Sequence, residues 1–122
     1  MATSFERKWK KWIVELKERC PLTKPVVVYR VNRAIHGLSA SMPDEAKPEP
    51  HLGETTLVNG KFIIRISAIE PRQVQLDTLV HEWAHCVAYP DQLATRRTWT
   101  HDIHYGIAYA EVYRRFYNEP EP

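Results

Sequence analysis

Two histidines four positions apart, His81 and His85, with a glutamate directly after the first, are the residues of this sequence best suited to chemistry. On an α-helix, side chains four residues apart lie one above the other, so both imidazoles would point toward a common place. Neutral imidazole suits Zn²⁺, which binds histidine nitrogen at about 2.0–2.1 Å. Glu82 would be turned about 100° from His81, near enough to reach a water molecule on the metal without being a ligand. The segment therefore predicts a zinc ion with a general base beside it.

A solvent-exposed helix face that happens to carry two histidines is the alternative interpretation. The residues around the pair are apolar, with Leu79-Val80 before it and Cys86-Val87 after it, which predicts a helix buried on most sides. Buried imidazoles are costly unless something satisfies their ring nitrogens, and a metal ion does so. We therefore expect a metal site.

A catalytic zinc ion usually takes three protein ligands and keeps its fourth position for water. Two histidines downstream, His101 and His104, could each supply the third ligand. Both lie at the start of the last predicted helix, within reach of the histidine pair. The residues alone leave the choice between them open.

Hydrophobic periodicity predicts three helices that would position these side chains. The first covers residues 4–19 and begins with a capping box formed by Thr3 and Glu6. The helix that carries the histidine pair covers residues 72–88, and Pro90 is expected to stop it. The last helix covers residues 101–117.

A small sheet is predicted between the first two helices. The β-branched segment 25–32 indicates a strand, and Asn59-Gly60 indicates the tight turn of a hairpin. Residues 37–53, rich in proline and small polar residues, are expected to form a loop. We predict an α+β fold with a mostly antiparallel sheet of about three strands, in a single domain over residues 1–122 with 118–122 as a frayed tail.

Composition narrows the class of protein. Two cysteines, Cys20 and Cys86, form no Cys-x-x-Cys pair, which excludes a cysteine-ligated zinc ribbon. No apolar run approaches the ~18 residues of a membrane span, and no secretory signal is present, so we expect a cytoplasmic protein without a membrane partner. The net charge of +2 is too small to imply nucleic acid, and the basic residues of the first helix favour a solvated face over a DNA-binding surface.

Three motifs follow one another in the second half of the chain: His81-Glu82-x-x-His85, His101-Asp102-x-x-Tyr105-Gly106 and Ala108-Tyr109-x-x-x-Tyr113. Over residues 72–117 they resemble the SprT-like metallopeptidase family, especially its short bacteriophage-encoded members. In that family the third zinc ligand is a histidine followed four residues later by an aromatic residue. The resemblance therefore implies His101, which Tyr105 follows at that spacing, whereas Ala108 follows His104. Asp102-Ile103 stands where the family usually has Gly-Pro, and the cysteine ribbon of many members is missing.

The resemblance implies a zincin-like, SprT-like fold and a zinc-dependent metallopeptidase with one zinc ion per chain. Its ligands would be His81, His85 and His101, with a protein or peptide as the substrate. Glu82 would act as the general base on the zinc-activated water.

Two further residues near His101 have two interpretations each. Asp102 either accepts a hydrogen bond from an imidazole or is a carboxylate placed at a helix N-terminus. Tyr105 either supports the transition state or belongs to the core.

The alternative function is a non-catalytic, zinc-stabilised binding or viral structural or regulatory module, associated with DNA. Glu82 argues against it, because a structural zinc site needs no base.

Overall fold

Three α-helices and a three-stranded sheet make up the part of the chain that the computed structural model describes, which is residues 3–33, 35 and 52–118. In chain order the elements are α1 (Ser4–Arg19), β1 (Val26–Val31), β2 (Gly53–Val58), β3 (Lys61–Ser67), α2 (Arg72–Thr95), α3 (Ile103–Tyr113) and a short π-helical segment (Arg114–Asn118). The predicted α+β fold is confirmed. Most of the predicted loop 37–53 and of the predicted tail 118–122 lies outside the described residues. Within those residues, no helix is long and apolar enough to cross a membrane.

Helix α1 has the bounds that the sequence predicts. The Thr3 hydroxyl accepts a hydrogen bond from the backbone N–H of Glu6 at 3.0 Å, and the Glu6 carboxylate accepts one from the backbone N–H of Thr3 at 3.3 Å. Both halves of the capping box are therefore present, which explains where the helix begins. Its buried side chains are Phe5, Trp9 and Leu16.

The sheet has the order β1-β3-β2 and is mixed. Strands β2 and β3 form the predicted antiparallel hairpin, and its turn residues Asn59 and Gly60 have φ values of 51° and 75°, as the two-residue turn requires. Strand β1, however, pairs with β3 in parallel, so the sheet is not mostly antiparallel. Parallel strands cannot be joined by a tight turn, and β1 and β3 are far apart in the chain.

Helix α2 is longer than predicted, since it runs through Pro90 to Thr95 and does not stop near residue 88. A proline inside a helix removes one backbone hydrogen bond and crowds the carbonyl four residues earlier, at a cost of about 3 kcal/mol. The extension is anchored by Gln92, whose fully buried side chain makes three hydrogen bonds to the segment that follows the helix. These bonds offset the cost of the proline.

Helix α2 ends in a Schellman motif. The backbone N–H of Arg97 donates to the carbonyl of Gln92 at 2.9 Å, and that of Arg96 donates to the carbonyl of Leu93 at 3.2 Å. Arg96 holds the left-handed position, with φ of 60°, where glycine is usual. No glycine marks this helix end in the sequence, and the predicted end before Pro90 is wrong.

The contacts divide the chain into two compact units, Met1–Thr23 with Trp83–Pro122, and Lys24–Glu82. In the second unit the central strand β3 buries the alternating residues Phe62, Ile64 and Ile66. In the first unit Trp83 is fully buried, and its indole N–H donates to the carbonyl of Cys20 at 2.9 Å.

Candidate metal centre

Three histidines lie close enough together to hold a metal ion. One ligand nitrogen from each of His81, His85 and His101 lies within 4.8 Å of the other two. His81 and His85 are one turn apart on α2, as the helical spacing predicts. His101 comes from the segment between α2 and α3, and its Nε2 lies 3.2 Å from Nε2 of His85.

The donor atoms fit a zinc ion in type, and one pair of them also fits in spacing. In a tetrahedral zinc site with Zn–N bonds of about 2.0–2.1 Å, two ligand nitrogens are roughly 3.3 Å apart. The distance of 3.2 Å between Nε2 of His85 and Nε2 of His101 agrees with that value. Three neutral imidazoles are also a donor set that zinc uses in catalytic sites. The residues present therefore fit the metal that the sequence predicts.

One side of the histidine cluster is accessible to solvent. His85 is buried, with 6% of its surface exposed, whereas His101 is exposed and the side chain of His81 is 38% exposed. A metal ion held by these three residues would be approached from the side of His81 and His101. Structural zinc sites are closed by a fourth protein ligand, so this accessibility is typical of a catalytic site.

Glu82 is a buried carboxylate beside the histidines. Its Oε2 lies 3.9 Å from Nε2 of His81, and its Oε1 accepts a hydrogen bond of 2.7 Å from the hydroxyl of Thr55. Burial raises the pKa of Glu82 to about 7, against the lowering effect of the Thr55 hydrogen bond, and the charge of Glu54 raises it further. A cation at the adjacent histidines would lower the pKa of Glu82 again and favour its ionised form.

The close approach of β2 to α2 allows Thr55 to reach Glu82. At Gly53 a Cβ atom would come within 2.7 Å of the Thr78 methyl carbon and within 3.2 Å of Cγ of Glu82. Only glycine permits this approach, and two residues later along the same strand Thr55 meets the carboxylate. Neither Gly53 nor Thr55 was predicted from the sequence, because neither belongs to a motif or a periodic pattern.

A network around Gln92 holds the segment that carries His101. The Gln92 amide donates to the carbonyl of Thr100 and to the carboxylate of Asp102, each at 2.8 Å, and its oxygen accepts from the backbone N–H of Trp99 at 3.2 Å. Asp102 is also the N-cap of α3, since its carboxylate accepts from the backbone N–H of Tyr105 at 3.1 Å. Hydrogen bonds to its carboxylate lower the pKa of Asp102, and the one from Gln92 has the largest effect.

Tyr105 lies against two of the histidines. Its ring is buried, with its centroid 4.3 Å from that of His85 and 4.6 Å from that of His101. The ring of Trp99 approaches the edge of His85 at 6.4 Å and packs on Tyr89 at 5.2 Å. These aromatic contacts restrict the orientation of the two imidazoles.

His104, the alternative third ligand, lies elsewhere on α3. It lines a cavity of about 100 Å³ together with Val87, Asp91 and Glu111. Within the described residues, the group of side chains close enough to bind a metal contains His101 and not His104.

No protein-family model, curated protein or solved structure matches this chain. The resemblance to the SprT-like family therefore stays a prediction, and the function has to be argued from the residues themselves.

Proposed function

We propose that this chain is a zinc-dependent metallopeptidase that binds one zinc ion through His81, His85 and His101. The observation that carries the proposal is Glu82, a buried carboxylate that lies 3.9 Å from Nε2 of His81 without belonging to the ligand group. A structural zinc site has no use for such a group, whereas hydrolysis of an amide needs a general base near the attacking water.

Zinc is the metal that the donor set favours. All three ligand atoms are imidazole nitrogens, which suit zinc, whereas Mg²⁺ and Ca²⁺ prefer oxygen. The separation of 3.2 Å between Nε2 of His85 and Nε2 of His101 matches the edge of a zinc tetrahedron. Solvent access at His81 and His101 would admit water and a substrate.

Zinc bound at this position would lower the pKa of a water molecule toward 7 and polarise the scissile carbonyl. The two oxygens of Glu82 have different tasks. Oε1 is held by the Thr55 hydroxyl, so that Oε2, which faces His81, can accept the proton of the water. Glu82 then passes this proton to the leaving amine. Tyr105 packs on the imidazoles of His85 and His101 and holds them in place.

We propose a polypeptide as the substrate, on the strength of the resemblance to the SprT-like family, and a cytoplasmic location. The alternative is a zinc-stabilised binding module, associated with DNA, in which the metal only holds helices together. Glu82 distinguishes the two, because only the enzyme needs its carboxylate.

The test is Glu82→Gln, compared with wild type and with Glu18→Gln, which removes an exposed carboxylate of α1. Glu82→Gln should keep its zinc and lose hydrolysis of an unfolded protein such as casein by roughly 10²–10⁴-fold, because the amide cannot accept the proton. Glu18→Gln should behave as wild type. Loss of zinc from Glu82→Gln would make Glu82 a ligand. Zinc-loaded wild type that cleaves no protein in a broad panel, with and without DNA, would favour the binding module.

A further inference from the structure

We infer that Gln92 is the positioning residue that holds His101 at the metal. The inference rests on the proposed metal site but not on peptide hydrolysis. Gln92 lies seven residues after His85 on α2. The hydrogen bonds of its side chain reach neither the metal-binding nitrogens nor Glu82. Its effect would pass through the residues on both sides of His101.

The side chain of Gln92 is completely buried. Its amide nitrogen donates two hydrogen bonds, and its amide oxygen accepts one. Its partners are the residues that directly flank His101, namely Thr100 and Asp102, and the residue before them, Trp99. One buried carboxamide therefore bonds the backbone before the third ligand and the side chain of the residue after it. A buried amide that loses such partners is costly, so the segment has a strong preference for this arrangement.

The conformation of the segment shows why it needs to be held. Arg96 and Trp99 have φ values of 60° and 66°, in the left-handed region that non-glycine residues rarely adopt. Such conformations persist only where the surroundings impose them. The N–H of Trp99 donates to Gln92, so the strained residue is itself held by the network. Without Gln92 the segment would relax, and Nε2 of His101 would no longer face His85.

The chain contains a matched control in Gln75, a second buried glutamine on α2. Its amide donates to the carbonyls of Glu70 and Ala68, at 2.8 and 3.4 Å, and its oxygen accepts from Nε of Arg30 at 2.9 Å. Gln75 thus resembles Gln92 in burial and in its number of hydrogen bonds. Its partners, however, lie in β1 and before α2, and none of them flanks a histidine of the metal centre.

The experiment compares Gln92→Met and Gln75→Met, which preserve side-chain length and remove the amide. Both should melt at a lower temperature than wild type in the presence of a chelator. Gln92→Met should weaken zinc binding by about 10–100-fold, as loss of an outer support of a metal ligand does. Gln75→Met should stay within about twofold of wild type, because distant sites act independently. The visible absorption of bound Co²⁺, which reports coordination geometry, should change only in Gln92→Met.

Two further variants keep the test decisive. Gln92→Asn is less disruptive but one methylene too short to reach the same partners, and it should weaken zinc binding in the same direction. Adding Arg96→Gly to Gln92→Met relieves one left-handed residue, so it should restore part of the affinity. Unchanged zinc affinity in both Gln92 variants would overturn the inference, as would an equal loss in Gln75→Met. If wild type itself binds no zinc, the proposed function fails instead.

Discussion

The protein from which a chelator has removed the metal should lose stability as the pH rises toward 8, and Glu82→Gln should remove that loss. Burial raises the pKa of Glu82 from 4.5 to about 7, so the native state holds this proton more tightly than the unfolded state. Between these two pKa values the unfolded state binds fewer protons, and the free energy of unfolding falls as the pH rises.

The size of the effect follows from the same numbers. A pKa difference of about 2.5, at roughly 1.4 kcal/mol for each unit, gives a cost of about 3 kcal/mol near pH 8 and less than about 1 kcal/mol near pH 5. Glutamine resembles the protonated carboxyl and keeps the acceptor for Thr55. The stability of Glu82→Gln relative to wild type should therefore increase by roughly 2–3 kcal/mol between these pH values.

Urea unfolding in the presence of a chelator, at both pH values, measures this difference. Glu18→Gln, on the exposed face of α1, is the control for the loss of a carboxylate. If the difference between Glu82→Gln and wild type is the same at both pH values, the carboxylate is hydrated in the native state, and the account of its burial is wrong.

The remaining predictions concern the metal and the end of α2. His101→Ala should abolish tight zinc binding measured by calorimetry, whereas His104→Ala should leave it nearly intact; the reverse ranking would make His104 the third ligand. Chelation should lower the melting temperature of wild type by several degrees, since a ligand that binds only the native state stabilises it, and an unchanged melting temperature would mean that packing alone holds the helices. Arg96→Gly should raise the free energy of unfolding by roughly 0.5–1 kcal/mol, because glycine adopts the left-handed position of the Schellman motif without strain. A loss of stability would contradict this description of the helix end.

The features predicted correctly from sequence are those whose causes are local. The capping box of Thr3 and Glu6 and the turn at Asn59-Gly60 depend on residues next to one another, and each forms as expected. The parallel pairing of β1 with β3 joins strands that are far apart in the chain, so no local signal announces it. The passage of α2 through Pro90 likewise depends on tertiary hydrogen bonds made by a glutamine beyond it.

The residues of the candidate site also fall into those that local sequence predicts and those that depend on the folded chain. His81 and His85 follow from helical periodicity, because two side chains on one helix face are fixed by their spacing. The residues that bond Glu82 and the segment around His101, namely Thr55 and Gln92, have ordinary residue types at positions without a pattern. Their importance depends on burial and on partners that only the folded chain brings together. Two of the three histidines of the candidate site could therefore be predicted from the sequence alone, but not the residues that pack around the site.

X-ray absorption at the zinc edge of the zinc-loaded protein tests the central claim most directly. We predict three imidazole nitrogens at about 2.0–2.1 Å and one further light atom from water. His101→Ala should lose one imidazole from this shell, and Glu82→Gln should leave the shell unchanged. A sulfur ligand, a fourth protein ligand, or a shell that changes in Glu82→Gln would contradict a catalytic zinc site with Glu82 as its base.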